Sequence, residues 1–486
     1  MSDPTAPDPT APDPTASGPS VPGPTASGPS VPGPTASGPT APAPTASGPS
    51  VPGPTAFGPT TPHPAAPRPA ARNPTTPRPT VAVVGAGPVG LTAALVLARS
   101  GVPVTLLETT DAPATASRAS TFHPSTLDLL DELGVAAALG RRGRTVDRVQ
   151  WRDLDGVVHA ELDYSLLAGH TGHPYRLHVE QSVLTPLLLA ELAATGLADI
   201  RFGATVTEAD DTGDGVRLRT EDAAGRGATT RHPYVVAADG SRSRLRELAG
   251  LPGTADEYPD YALRVITETP LDDLVPGLAP LAYVRDRRAS YSALGMPDHW
   301  RLIFRIPRGV ARDAVLAPDA VRARVEQALP GAPGRAVRVA DAHTYRLARF
   351  LLPRYRAGRV LFAGDAAHLT STAGGLNMNC GIHDAVETGR ALAAVLRGDP
   401  ADEAPLDAAL ARRRSVVETA VVPRSEARTA GLGDTAELAD RLASSRRTAE
   451  DPRSATDYLL KASLLDVAPR PLKGDAHADL VSQAHR

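Results

Sequence analysis

The sequence predicts an α/β fold in which a helix-covered parallel sheet is interleaved with a mostly antiparallel one. Three segments carry that expectation. Val81–Glu108, Val235–Arg246 and Arg359–Asp384 each run from a short apolar strand through a glycine turn toward a helix. Repeated strand–turn–helix units build a parallel sheet. The stretch between the last two, residues 255–350, reads as antiparallel strands.

The first segment is the most complete. Val81–Val84 is an apolar strand, and Gly85-Ala86-Gly87-Pro88-Val89-Gly90 is a GxGxxG. In the helix that follows, Leu91, Ala94, Leu95, Leu97 and Ala98 lie roughly on one face, with no breaker before Gly101. Val104–Leu107 is the next strand, and Glu108 stands at its end, 18 residues after Gly90. This is the full Rossmann-like dinucleotide fingerprint. Gly85 makes the turn, Gly87 admits a pyrophosphate, Gly90 packs helix on strand, and Glu108 accepts ribose hydroxyls. The second segment runs from Val235–Ala238 into Asp239-Gly240 and a basic helix start; alone it is an ordinary corner. In the third, Val360–Ala363 leads to Gly364-Asp365, a small-residue stretch, Gly374-Gly375 and a helix from near Asn379. Small residues there let backbone N–H groups approach a flat, phosphate-bearing ligand.

Together the three motifs, in this order, resemble the class A flavoprotein monooxygenases, the FAD-dependent aromatic hydroxylases of the p-hydroxybenzoate hydroxylase type, over about residues 81–430. The resemblance implies non-covalent FAD held at Gly85, Gly87, Gly90 and Glu108. It implies that Asp239-Gly240 serves FAD and NAD(P)H, and that Gly364-Asp365 with Gly375 holds the ribityl chain and ring. Arg118 resembles the family's arginine near the pyrophosphate, Gln181 its flavin-contacting glutamine, and Trp300–Pro307 the edge of its substrate-domain sheet. Backbone N–H groups of Leu376, Asn377 and Met378 are assigned to the N1–C2 edge of the flavin, where reduction places negative charge. The implied chemistry is reduction by NADPH or NADH, reaction with O2 to a C4a-hydroperoxide, and oxygen transfer to an aromatic or polyketide-like small molecule in a water-poor pocket.

The chain also departs from the family. Ser371-Thr372-Ala373 stands where many members have a proline, and Asn377 replaces a frequent glycine. Hydroxylation, epoxidation and Baeyer–Villiger insertion therefore stay open as outcomes. No essential acid or base is assigned. Ser371 and Thr372 are the substrate-side candidates, with Tyr291, Tyr283, Arg285, His299, Arg301 and Arg305 on the antiparallel sheet. Two other readings remain: an FAD-dependent dehydrogenase or reductase that inserts no oxygen, and a flavin-binding interaction protein.

Composition sets the frame. Of 486 residues the first 80 are mostly Pro, Thr, Ala, Ser and Gly, in repeats such as PTASGPSVPG. Such a tail cannot offset its ordering entropy by burial and is expected to be disordered. The remainder is expected to divide into an FAD-binding domain (81–150, 176–250 and 351–430), a substrate domain (151–175 and 251–350) and a C-terminal helical segment (431–486). Within it, Pro423 is expected to break a helix. A net charge of −3 makes no electrostatic case for nucleic acid. Cys380 is the only cysteine, which excludes an intramolecular disulfide and suits the cytoplasm. The longest apolar stretches, 81–107 and 183–194, are broken short of a membrane span. His170, His173 and His178 lack the companions of a metal site, and no metal is expected. Monomer and homodimer both remain open.

Overall fold

The computed structural model describes residues 80–115, 119–251, 253, 255–330, 337–399, 402–428 and 435–469. The chain divides into two units between Ala71 and Arg72, and all described residues belong to the second. The repeat tail and Arg118 lie outside the described residues.

Six strands form the nucleotide-binding sheet, in the order Arg356–Ala357, Val360–Phe362, Val235–Ala237, Val81–Val84, Val104–Leu107 and Ala198–Arg201. The last five run parallel. VLF, VVA, VAVV and VTLL are buried at every position, as strands covered on both faces must be. Register then decides where the site lies. Val84 pairs with Ala237 and Ala237 with Phe362, so three strands end level with one another. All three glycine corners therefore open at the carboxyl edge of the sheet, where ligands bind in such folds.

Two helices sit on this edge. Pro88–Arg99 and Leu376–Arg397 cross in tight contact. A Cβ on Gly381 would come within 2.9 Å of Val89, and one on Gly389 within 2.8 Å of Val96. The two glycines thus let the helices approach and bring their N-termini to the same place. The long helix begins at Leu376, three residues before the expected Asn379, because Gly375 takes the left-handed conformation (φ 68°) and turns the chain into it.

The second sheet has eight strands, ordered His368–Leu369, Val339–Leu351, Asp256–Thr267, Trp300–Pro307, Ser290–Gly295, Leu281–Arg285, Arg148–Arg152 and Val158–Asp163. Only the pair Leu281–Arg285 with Arg148–Arg152 is parallel. Trp300–Pro307 is a central strand and not the edge strand the sequence suggests. Its alternate polar residues, Arg301 and Arg305, reach other polar groups beneath the sheet, so their charge does not mark a solvent edge.

Register also separates the two faces, since directly paired residues project to the same side. Leu263, Phe304, Tyr291 and Val284 share the outer face, which packs on Arg312–Leu316 and Pro318–Ala328. Arg264, Ile303, Ser292, Tyr283 and Trp151 share the inner face. A three-stranded meander, residues 205–232, flanks the first sheet.

Pro423 does not break its helix. The chain remains helical from Ala404 to Ala427, passing through a wider π turn at Val417–Val421 just before the proline. A proline cannot donate its N–H and crowds the preceding turn, and the wider turn relieves both problems. Thr435–Glu450 and Pro452–Ala462 follow. Among the described residues, no helix is long and apolar enough to cross a membrane.

Candidate active site

The cradle at the carboxyl edge begins with Gly85, whose φ of +104° suits glycine and whose added Cβ would lie 2.3 Å from the Ala238 carbonyl oxygen. A Cβ on Gly90 would meet the Gly85 carbonyl oxygen at 1.8 Å. Both glycines are required by packing alone. Gly87 differs, because a Cβ there meets nothing within 4 Å. It faces open space in front of the Pro88–Arg99 helix, whose N-terminus has no side-chain cap. The uncapped first-turn N–H groups point toward that space.

Glu108 is held against the same loop. Its Oε2 accepts the Ala86 N–H at 2.7 Å and its Oε1 accepts the Thr110 N–H at 2.9 Å. Oε1 also accepts from the Thr110 hydroxyl at 3.0 Å, so Oε2 is the oxygen that keeps a further lone pair for a sugar hydroxyl. Across the corner, Asp239 Oδ2 accepts the Leu245 N–H at 3.0 Å, while its buried Oδ1 has no partner among the described residues. Burial pushes this carboxyl up from its ordinary range. Gly240 has φ +81° and open space where a Cβ would project.

The third corner faces the first. Gly364 (φ +60°) lies so close to Val89 that an added Cβ would stand 2.8 Å from it. Asp365 Oδ1 accepts a hydrogen bond from Asn377 Nδ2 at 2.7 Å. Asn377, which replaces the family's frequent glycine, therefore orients the aspartate. Leu376, Asn377 and Met378 form the first turn of the long helix, again without a side-chain cap. An open glycine, two uncapped helix starts and a buried unpartnered carboxylate oxygen fit a dinucleotide with a flat ring. Gln181 opens the Gln181–Ala194 helix, its N–H donating to the Ala119 carbonyl at 3.0 Å.

Several supports were not singled out in the sequence. Asn379 donates to the carbonyls of Thr121 (2.9 Å) and Gly375 (2.7 Å) and accepts the His123 N–H (2.9 Å), fastening the helix start to a neighbouring strand. His123 Nε2 donates to the Gly374 carbonyl at 3.0 Å; burial first, then Arg176, hold its pKa well below the ordinary value and keep it neutral.

Beneath the Gly-Asp turn lies a fully buried ionic cluster. Asp384 Oδ2 accepts from His368 Nε2 at 2.7 Å and from the Gly364 N–H at 3.3 Å, and its Oδ1 accepts from Arg413 Nε at 2.8 Å. Arg413 Nη2 also reaches Cys380 Sγ at 3.2 Å. Burial opposes charge on His368, but Asp384 outweighs it and lifts the imidazole to about 10. His368, Cys380 and Asp384 stand close enough to hold a metal ion. The arginine and the protonated histidine already neutralise the carboxylate, so the cluster is an ion-pair brace. His173 instead contacts Asp128, at 2.8 Å, and His178 the Gly295 carbonyl, at 3.0 Å.

On the substrate side, Ser371 Oγ accepts from Arg305 Nη2 at 3.1 Å, and Thr372 shares a hydrogen bond with Tyr345. Both residues thus meet the inner face of the antiparallel sheet. Tyr291 is a correction. It lies on the outer face, its ring 5.3 Å from Phe304 and its hydroxyl donating to the Ala328 carbonyl at 2.8 Å. A large ring with one polar tip is readily satisfied in a packed core, and its position in the strand, one residue from Ser292, turns it away from the site. Arg301 pairs with Glu180, which His299 also approaches, so neither is free. Tyr283 and Arg285 instead line a cavity of about 370 Å³ between the inner face and the C-terminal helices. Its wall includes Arg428, packed directly against Gly374.

Comparison with known proteins places this geometry. The family model described as FAD binding domain matches residues 78–424. The 6-methylpretetramide 4-monooxygenase of Streptomyces rimosus is 33% identical over 333 residues, which is 66% of this chain and 57% of that protein. The para-nitrophenol 4-monooxygenase of Pseudomonas sp. strain WBC-3 is 30% identical over 349 residues, 70% of this chain and 83% of that one. The solved p-nitrophenol 4-monooxygenase PnpA of Pseudomonas putida DLL-E4 matches with a TM-score of 0.75 at 28% identity, over 81% of this chain and 99% of that chain. The anhydrotetracycline hydroxylase OxyS of Streptomyces rimosus matches with a TM-score of 0.64 at 26% identity, over 82% and 78%.

Proposed function

The chain belongs to the FAD-binding family of the class A flavoprotein monooxygenases, and from that premise we propose that it hydroxylates an aromatic or polyketide-like small molecule, with NADH or NADPH and O2 as co-substrates. The observation that carries the reading is the convergence of three glycine corners and two uncapped helix starts opposite a polar sheet face. FAD supplies the redox chemistry when bound: it takes electrons from the nicotinamide and activates O2 for transfer of one oxygen atom.

The protein's own residues bind, orient and exclude. Gly87 and the first turn of the Pro88–Arg99 helix receive the pyrophosphate, and Glu108 receives the ribose. Asp365, aimed by Asn377, holds the ribityl hydroxyls. The N–H groups of Leu376, Asn377 and Met378 stabilise negative charge at the ring edge, aided by the dipole of a 22-residue helix. Ser371 and Thr372 tie this segment to Arg305 and Tyr345, so the missing proline is replaced by hydrogen bonds to the sheet above. The sheet and the C-terminal helices shield the site from water. A cytoplasmic location belongs to the same reading and rests on a single, buried cysteine.

The test is purification followed by flavin analysis, NAD(P)H oxidation and mass spectrometry of products formed under 18O2, using phenolic and polyketide substrates. One labelled oxygen per product is expected. Absence of bound flavin would remove the reading, and substrate oxidation without label would replace hydroxylation by dehydrogenation.

A further inference from the structure

The cavity between the inner sheet face and the C-terminal helices has an unusual charge balance. Its lining contains Arg285, Arg424, Arg428, Arg441 and Lys461 and, among the described residues, no Asp or Glu. Arg424 is neutralised by Asp466 and Arg441 by Glu437. Arg285 and Arg428 have no carboxylate partner among the described residues, and neither does Arg176, only 3% exposed behind Tyr283. Arg285 spends its Nη1 on the carbonyls of Val284 and Tyr291 and stacks over the Tyr283 ring. Arg428 Nη1 and Arg176 Nε are buried and unpartnered among the described residues.

Three uncompensated guanidinium groups around one phenol are costly unless something anionic joins them. Tyr283 registers their field. Burial would raise its pKa, yet Arg176, Arg428 and Arg285 together bring it below the ordinary value. An aromatic group forms part of the wall: Trp151 lies 5.6 Å from Tyr283 and 5.5 Å from Tyr458, ring centre to ring centre. At about 370 Å³ the space is more than twice a cavity that holds one benzene ring, about 150 Å³. It is joined to the flavin cradle. A Cβ on Gly374 would lie 1.7 Å from Arg428 Nη1, so the glycine just before the long helix is what admits the arginine.

Resting on the oxygenase reading above, we infer that the substrate is a planar, multi-ring aromatic acid whose anionic oxygen group is held by Arg428 and Arg285 with Tyr283, Arg176 adding its charge from behind Tyr283, while its rings lie against Trp151 and Tyr458. Because Arg428 stands against Gly374, the anionic end lies toward the flavin cradle and fixes which edge of the rings faces it.

The test uses FAD-loaded protein and two bicyclic probes of equal shape, 3-hydroxy-2-naphthoate and 3-hydroxy-2-naphthamide, titrated calorimetrically. The acid is expected to bind at least about tenfold tighter than the amide, as charge-assisted hydrogen bonds imply. Arg428→Gln should erase that preference by weakening the acid alone, and Arg428→Lys should keep most of it. Equal affinities in the unaltered protein, or equal weakening of both probes in Arg428→Gln, would overturn the assignment. If Arg428→Gln fails to fold, judged by flavin content and melting temperature, the comparison of acid with amide in the unaltered protein still decides. Acid preference without any NAD(P)H oxidation would sink the oxygenase reading and leave the anion pocket standing. Turnover with equal affinities would do the reverse.

Discussion

Asp384→Asn isolates the buried cluster beneath the Gly-Asp turn. In the native protein one carboxylate, with no exposure, faces His368 at 2.7 Å and Arg413 at 2.8 Å. The variant keeps shape and volume but leaves two buried cations without their counter-charge. Removing one partner of a buried pair costs about 3–5 kcal/mol. Glu387 stands 3.9 Å from Arg413 and still compensates it in part, which favours the lower end, about 3 kcal/mol. For a folded unit of roughly 400 residues, at about 2.1 cal/mol/K of unfolding entropy per residue, that is a drop of about 3–4 °C in melting temperature. Because Asp384 also accepts the Gly364 N–H, the flavin should leave at a correspondingly lower temperature.

The assay is thermal release of flavin fluorescence beside circular dichroism. Its pH dependence follows from His368, whose folded pKa of about 10 exceeds the ordinary 6.5. The stabilisation is fully present below about pH 6.5 and is lost as pH rises through about 10. The gap between the native protein and Asp384→Asn should therefore narrow above pH 9. The double variant Asp384→Asn/Arg413→Met removes one stranded cation and should cost less than the sum of its parts. A drop under about 2 °C, or a gap that does not change with pH, would refute the account of the cluster as an ion-pair brace.

Three further outcomes test the cradle. Gly87→Val should fold normally and lose FAD, since its side chain would enter only open space, whereas Gly90→Ala should destabilise the apoprotein through its clash with the Gly85 carbonyl; melting curves with and without FAD separate the two. Asp365→Ala should weaken FAD at least about tenfold in equilibrium dialysis, as loss of charge-assisted hydrogen bonds implies, with little change in apoprotein melting. Deleting residues 2–78 should leave flavin content and turnover nearly unchanged, because the first described contacts of the chain are those of Thr80 with Thr105 and His232; a large loss of activity would overturn that expectation.

The sequence made the cofactor side readable because backbone geometry dictates it. Gly85 and Gly90 are glycine whether or not a ligand is present, since no Cβ fits, and the strands before them are apolar because both faces are covered. Constraints of that kind repeat at fixed spacing and survive as motifs. The supports beneath them do not. Asp384 and Arg413 lie on separate helices 29 residues apart, and Asn379 reaches Thr121 from 258 residues away. Nothing local in the sequence joins such pairs.

On the substrate side, sequence patterning misleads for a physical reason. Alternation along Trp300–Pro307 correctly gives two faces but does not say which one meets the site. Polar residues normally mark the solvent face, yet here Arg301 and Arg305 point inward and the apolar Phe304 and Tyr291 point outward, under a pair of covering helices. Tyr291, a candidate by sequence, therefore faces the covering helices, and nothing local in the sequence marks Arg428. What separates the two is the charge balance of the inner layer. Arg301 and Arg305 have Glu180 and Asp260, but Arg176, Arg285 and Arg428 gather there without matching carboxylates among the described residues, an arrangement a core does not tolerate and an anion-binding site requires. In the proposed assignment, the burial of unpaired charge, more than any motif, marks the substrate end of this molecule.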